Sequence, residues 1–224
     1  MIIDDLLTED RWLHADTLDE AAWMVRCLWR DMKRPSPRKG QLFVCACARE
    51  IWYLLTDERS RQGVEVAERY LEGLASRSEV EAVAEAAFEA SRAAENYSMH
   101  FWASVVAAIA ARPRENRFND WKAPNAMRSL NLEHPERPAT FLRDIFGNPF
   151  HPKMVQPCWL ANHNGVVMNL AQAIYEGRTF DHLPILADAL EEAGCDDAEM
   201  VNHCRQPGVH ARGCWVLDLL LNRE

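Results

Sequence analysis

The C-terminal part of the sequence contains five residues with metal-binding side chains: Cys195, His203, Cys204, His210 and Cys214. Thiolates and imidazoles are side chains that bind zinc. His203 and Cys204 are adjacent, so on a helix they point about 100° apart and do not easily share an ion. His210 and Cys214 are separated by one helical turn across a predicted loop–helix junction, which allows them to converge. The candidate zinc ligands are therefore His203, His210, Cys214 and Cys195.

The same residues admit two other interpretations. Paired C-x-x-C or H-x-x-x-H knuckles, which are typical of structural zinc sites, are absent, so buried thiols and helix-capping histidines would also explain the pattern. Alternatively, Arg205, Arg212 and His210 lie near the start of the last predicted helix. A helix N-terminus with nearby cations can hold a phosphate or a partner's carboxylate. If it does not, Arg212 and His210 would contact carbonyl groups at helix ends.

Two other segments are candidates for partner binding. Trp121 lies in a polar, proline-rich stretch, and an exposed tryptophan there would mark a binding surface. His163 belongs to the polar segment Asn162–Gly165 just before a predicted helix. Asparagine and histidine also occur in ordinary turns, so this segment could equally be structural.

Common catalytic motifs are missing from the sequence. It has no G-x-x-x-x-G-K-[ST], G-x-G-x-x-G, H-E-x-x-H or G-x-S-x-G pattern. P-loop hydrolysis, dinucleotide binding in a Rossmann fold, and the common zinc-protease and serine-hydrolase arrangements are therefore disfavoured.

Charge and composition restrict the classes of partner and predict the cellular location. The 224 residues carry a net charge of −9, which disfavours nucleic acid as the main partner. A basic run at Lys33–Lys39 leaves a weaker nucleic-acid hypothesis open, although such a run is often a solvated loop. The seven cysteines are an odd number and include no C-x-x-C pair, which is typical of reduced thiols rather than a disulfide framework. Together with the absence of a signal-peptide pattern, this predicts a cytoplasmic protein. No apolar run is long enough to span a membrane.

Apolar spacing predicts an all-α fold, a multi-helix bundle or a solenoid-like stack in two packed lobes. Thr17–Glu20, Ser78–Glu81 and Asp196–Glu199 have the spacing of capping boxes, and Asp57 is a predicted N-cap. Residues 113–138 contain four prolines and are predicted to be a long loop. The predicted organisation is thus an N-terminal lobe at 1–112, a linker at 113–138 and a C-terminal lobe at 139–224.

Three stretches resemble an uncharacterised family of alanine-rich helical bacterial proteins. They are Leu42–Ala75, Phe141–Phe150 (FLRDIFGNPF) and Leu170–Leu221, the last of which contains HCRQPGVHARGCWVLDLLL. The resemblance covers about two-thirds of the chain and implies no activity, catalytic residue or cofactor.

Two functional hypotheses follow from the sequence. The first is a non-catalytic protein-interaction or regulatory module with a protein partner, because helical patterns dominate and no catalytic grouping is recognisable. The second is an enzyme or a metal- or anion-binding protein that uses the C-terminal histidine, cysteine and arginine residues.

Overall fold

The computed structural model describes residues 6–31, 36–95, 98–112, 122–130, 132–161 and 165–223. The described residues form thirteen α-helices and two short 3₁₀ segments, and they contain no strand. The all-α, multi-helix class predicted from apolar spacing is confirmed.

The chain divides into two compact units. The N-terminal unit comprises Met1–Arg143 and the C-terminal unit comprises Asp144–Glu224. Residues 113–121 lie outside the described residues, but Lys122–Met127 is a helix rather than part of a loop. The division of the chain falls after the predicted linker, inside the helix Arg137–Phe146.

Helices α1 to α7 belong to the N-terminal unit, and α8 begins in it. α4, α5 and α6 pack against one another, α3 packs on α4 and α6, and α2 packs on α7. The bounds are α1 Glu9–His14, α2 Leu18–Asp31, α3 Pro37–Glu50, α4 Glu58–Leu71, α5 Arg77–Ala93, α6 Met99–Ala111, α7 Lys122–Met127 and α8 Arg137–Phe146.

Side-chain caps explain where several of these helices begin. The Thr17 hydroxyl accepts from the Glu20 N–H, and the Glu20 carboxylate accepts from the Thr17 N–H, both at 3.2 Å. Asp57 accepts from the Arg59 N–H at the start of α4, as predicted. The capping box of α5 uses Ser76 and Glu79, so the predicted pair, Ser78–Glu81, is wrong by two residues.

The described residues of the C-terminal unit form five helices, α9 to α13, around one apolar core. α11 packs on α10 and α12, and α13 packs on the same two helices. Ile174, Leu186, Met200 and Leu217 are among the side chains buried between them. The bounds are α9 Pro157–Ala161, α10 Val166–Gly177, α11 Leu183–Glu192, α12 Ala198–Arg205 and α13 Trp215–Leu220.

Two local features fix the ends of helices that matter below. α8 ends at Phe146 and is followed by Gly147, whose φ of +67° favours glycine. A Cβ at Gly147 would lie 3.1 Å from Cγ of Trp215, so a side chain would not fit there without a shift. α12 is capped by Asp197, which accepts from the N–H groups of Glu199 and Met200; the predicted cap, Asp196, is therefore wrong by one residue.

Among the described residues, none of the helices combines the length and the apolar character required to cross a membrane.

Candidate metal centre

Four side chains of the C-terminal unit converge on one point. Asp144, His203, His210 and Cys214 each offer one potential ligand atom, and these atoms all lie within 4.8 Å of one another. The group combines a carboxylate, two imidazoles and a thiol, which are the ligand types found in zinc sites.

Each side chain comes from a different element. Asp144 lies in the last turn of α8, which ends at Phe146. His203 lies in the last turn of α12, and Cys214 is the N-cap residue of α13. His210 lies in the connection between those two helices, residues 206–213, which we call the histidine loop.

The shortest contacts pass through Asp144 and His203. His210 Nδ1 lies 2.6 Å from Asp144 Oδ1, and His203 Nε2 lies 3.2 Å from the same oxygen. His203 Nε2 also lies 3.2 Å from Cys214 Sγ. The second oxygen of Asp144 accepts a hydrogen bond from the Ala211 N–H at 2.8 Å.

These contacts differ from those of a cysteine–histidine–aspartate catalytic relay. In such a relay one imidazole nitrogen faces the nucleophile and the other faces the carboxylate. Here, both the thiol and the carboxylate face Nε2 of His203. One nitrogen carries either one proton or one lone pair, so the arrangement resembles ligands around a shared centre.

The separations can be compared with a tetrahedral zinc site. Metal–ligand bonds of roughly 2.0–2.3 Å place ligand atoms roughly 3.3–3.7 Å apart. The two contacts of His203 Nε2, at 3.2 Å each, are close to this spacing. The 2.6 Å contact between His210 and Asp144 is a hydrogen bond, and an ion would have to replace its proton.

The group is closed to solvent. Side-chain exposure is 4% for Asp144, 8% for His210 and 15% for His203, and Cys214 is fully buried. The rings of His203 and His210 meet edge to face with centroids 5.0 Å apart. The ring of Trp215 covers His203, with a centroid distance of 5.2 Å.

Burial acts differently on the two acidic groups. For Asp144, burial works to raise the pKa, but hydrogen bonds and charges from His203 and His210 outweigh it, and the pKa is lowered. For Cys214, burial raises the thiol pKa well above its ordinary value, and the nearby Asp144 charge raises it further. In the absence of a cation the centre therefore pairs an ionised carboxylate with a neutral thiol.

One nitrogen of the group has no partner. His210 Nε2 is buried and makes no hydrogen bond. A buried polar atom without a partner costs about 1–3 kcal/mol. Such an atom at the edge of a ligand group indicates that the hydrogen bonds of the protein do not satisfy the group completely.

The structure thus brings together three of the four predicted metal ligands, His203, His210 and Cys214. Cys195 is not in the group; it lies in the apolar core of the C-terminal unit, where burial raises its pKa. Asp144 is the member that sequence reasoning missed. Phe141, three residues before it on the same face of α8, is buried, and an acid on the apolar stripe of a helix is a signal that a buried partner exists.

Two of the four predicted anion- or partner-binding residues, Arg205 and Arg212, lie among the described residues. Arg205 is at the surface, where it pairs with Glu191 at 2.9 Å and Asp188 at 2.7 Å. The Arg212 guanidinium lies 5.5 Å from the centre of the Tyr175 ring, and its Nε is buried without a partner. Trp121 and His163 lie outside the described residues.

The basic run is only partly described. Lys33 and Arg34 lie outside the described residues. Arg38 pairs with Glu72 at 3.1 Å, and both side chains are largely buried. The part of the run that can be placed therefore includes a cation already paired within the N-terminal unit.

No family model, no curated protein and no solved structure matches the chain. Membership of the alanine-rich helical family stays a prediction.

Proposed function

We propose that this protein binds one divalent transition-metal ion, zinc in the first instance, at Asp144, His203, His210 and Cys214. The observation that carries the proposal is the double contact of His203 Nε2, which lies 3.2 Å from both a thiol sulfur and a carboxylate oxygen. A shared cation binds all three groups at once, whereas a single Nε2 proton would have to be divided between the sulfur and the oxygen.

Ligand type favours zinc over the common hard cations. Calcium and magnesium take oxygen ligands, whereas this group offers two nitrogens and a sulfur. Charge points the same way. One thiolate and one carboxylate neutralise a divalent ion, and burying a neutral cluster costs far less desolvation free energy than burying a charged one.

The proposed role is structural and non-catalytic. Catalytic zinc sites keep one coordination position open for water or substrate, whereas structural sites have four protein ligands. Four candidate ligands, none more than 15% exposed, would fill a tetrahedral shell. This role agrees with the hypothesis of a non-catalytic module, whose protein partner and cytoplasmic location also remain proposals.

Metal titration tests the proposal directly. The purified full chain is stripped with a chelator, and zinc or cobalt(II) is added while bound metal is measured by equilibrium dialysis and elemental analysis. We expect one ion per chain. Cobalt should give visible absorption of tetrahedral type, together with a thiolate-to-cobalt charge-transfer band.

Two cysteine variants form a matched pair. Cys204 and Cys214 are both fully buried in the C-terminal unit, but only Cys214 belongs to the ligand group. Cys214→Ala should lose the charge-transfer band and bind zinc at least about 100-fold more weakly, because losing a ligand costs more than losing a group that only supports one. Cys204→Ala should retain both properties. Substoichiometric zinc in the wild-type chain, or equal effects of the two variants, would contradict the proposal.

A further inference from the structure

The histidine loop has few attachments of its own. Its first residues, Gln206, Pro207 and Gly208, are exposed. Among the described residues, backbone hydrogen bonds join the two ends of the loop to α12 and to Cys214, and the hydrogen bonds that tie it to an element distant in sequence both end on Asp144. One comes from the His210 ring and the other from the Ala211 N–H.

The helix that follows is too short to be stable without its surroundings. α13 has six residues, Trp215–Leu220, whereas isolated helices shorter than about 12–15 residues are marginal in water. Its N-cap residue, Cys214, makes no side-chain capping hydrogen bond. α13 is held by side chains such as Val216 and Leu217 that are buried in the core, and it starts at Cys214, whose sulfur faces His203.

The candidate ligands lie at the two ends of the histidine loop, within it, and on the helix to which it bonds. His203 comes just before the histidine loop, His210 lies within it, and Cys214 comes directly after it. Asp144 belongs to α8, which is distant in sequence. An ion held by all four would close the loop at both ends and fix it to α8, much as a disulfide constrains a loop.

We infer that the metal ion orders the histidine loop and fixes the start of α13, so that residues 208–214 are closed only to the extent that the ion is bound. This inference rests on the proposed function but goes beyond it, because an ion could also occupy a frame that is already rigid. The two cases differ in how local opening of the loop depends on metal concentration.

Hydrogen–deuterium exchange of the full chain distinguishes them. The informative amides are those of Ala211 and Cys214, which donate to Asp144 and to the Ala211 carbonyl, respectively. If opening of the loop destroys the site, protection grows as one plus the ratio of free zinc to the dissociation constant. Exchange at 208–214 should therefore slow about 100-fold when free zinc is 100 times that constant.

The controls distinguish a failure of the loop-ordering inference from a failure of the proposed metal site. Amides of α5 should not respond to zinc, and Cys204→Ala should respond like the wild-type chain. Bound zinc is measured on the same samples. One bound ion per chain with unchanged exchange at 208–214 would overturn the inference while leaving the metal site intact. Absence of bound zinc would overturn both.

Discussion

Among the described residues, each unit buries at least one carboxylate almost completely, and Glu68 in the N-terminal unit and Asp144 in the C-terminal unit are neutralised in different ways. Glu68 in the N-terminal unit and Asp144 in the C-terminal unit are each 3% exposed. Glu68 accepts two hydrogen bonds from Arg49, from Nε at 3.2 Å and from Nη2 at 2.7 Å. Asp144 faces two imidazoles and one backbone N–H.

The difference shows that the partner of a buried acid, more than the acid itself, indicates a ligand site. A guanidinium is permanently charged and its fork covers both carboxylate oxygens, so Glu68 has no further need of a cation. Imidazoles can give up their protons and offer lone pairs to a metal. The Glu68 pair is therefore complete as folded, whereas the Asp144 group can exchange protons for an ion.

The largest expected effect is the loss of metal binding when the Asp144 carboxylate is removed. Asp144→Asn retains the shape of the side chain but replaces a charged ligand by an amide. Zinc affinity should fall by at least about 100-fold, because losing a ligand costs more than the 10–100-fold typical of groups that only support ligands. Competition with a chromophoric chelator measures the change.

Glu68→Gln serves as the comparison variant for that measurement. It removes an equally buried carboxylate in the N-terminal unit and should leave zinc affinity unchanged. Equal weakening by the two variants would mean that metal binding reports general stability, and the contrast between the two carboxylates would be lost.

The second expected effect concerns stability. Glu68→Gln should lower the free energy of unfolding by about 2 kcal/mol, less than the 3–5 kcal/mol of a fully buried pair because Arg49 is 30% exposed. Glu65 is a matched control on the same helix; it lies 3.9 Å from Arg49 and is 52% exposed. Glu65→Gln should cost less than about 0.5 kcal/mol in the same urea titration. Similar losses for both would show that Arg49 gains little from the buried contact.

Local pattern was sufficient to predict most of the longer helices but not always their first residue, and it missed α7, which lies in the stretch predicted to be a loop. Residues 76–81 contain two overlapping Ser-x-x-Glu pairs, and the helix uses the earlier one, Ser76–Glu79. Glu81 instead pairs with Arg77 at 2.7 Å. Both capping boxes satisfy the same spacing rule, so the sequence alone does not choose between them.

A similar ambiguity at Asp196 and Asp197 is resolved by tertiary structure. Asp197 accepts from the α12 backbone and also from Lys153, which is 44 positions earlier in the chain. The candidate site follows the same logic. Residues close in sequence, His203, His210 and Cys214, were identifiable, whereas Asp144 is 66 positions from His210. Rules based on the spacing of residues within one helix or loop do not predict contacts between residues that far apart in the sequence.

The smallest expected effect comes from the two aspartate caps, Asp57 on α4 and Asp197 on α12. Replacing either by alanine should cost about 1 kcal/mol of unfolding free energy. Only Asp197→Ala should also weaken zinc binding, by less than about 10-fold. α12 carries His203, and losing a cap that contributes about 1 kcal/mol makes α12 less stable. Urea titration and zinc competition on both variants provide the four values. Equal zinc affinities for the two variants would mean that α12 holds His203 without its cap.

The pH dependence of these caps has a definite sign. For Asp197, burial works to raise the pKa, but hydrogen bonds from Lys153 and the Met200 N–H outweigh it, and the pKa is lowered. For Asp57, the hydrogen bond from Arg59 lowers the pKa. Each carboxylate has a lower pKa in the folded state than its unfolded value of about 3.9. Its ionised form therefore contributes fully to the free energy of unfolding above about pH 4, and this contribution disappears as the pH falls through the folded-state pKa. The difference between wild-type chain and either alanine variant should therefore be constant from neutral pH to about pH 5 and shrink below about pH 4. A difference that persists unchanged in acid would show that the caps stabilise their helices through something other than the ionised carboxylate.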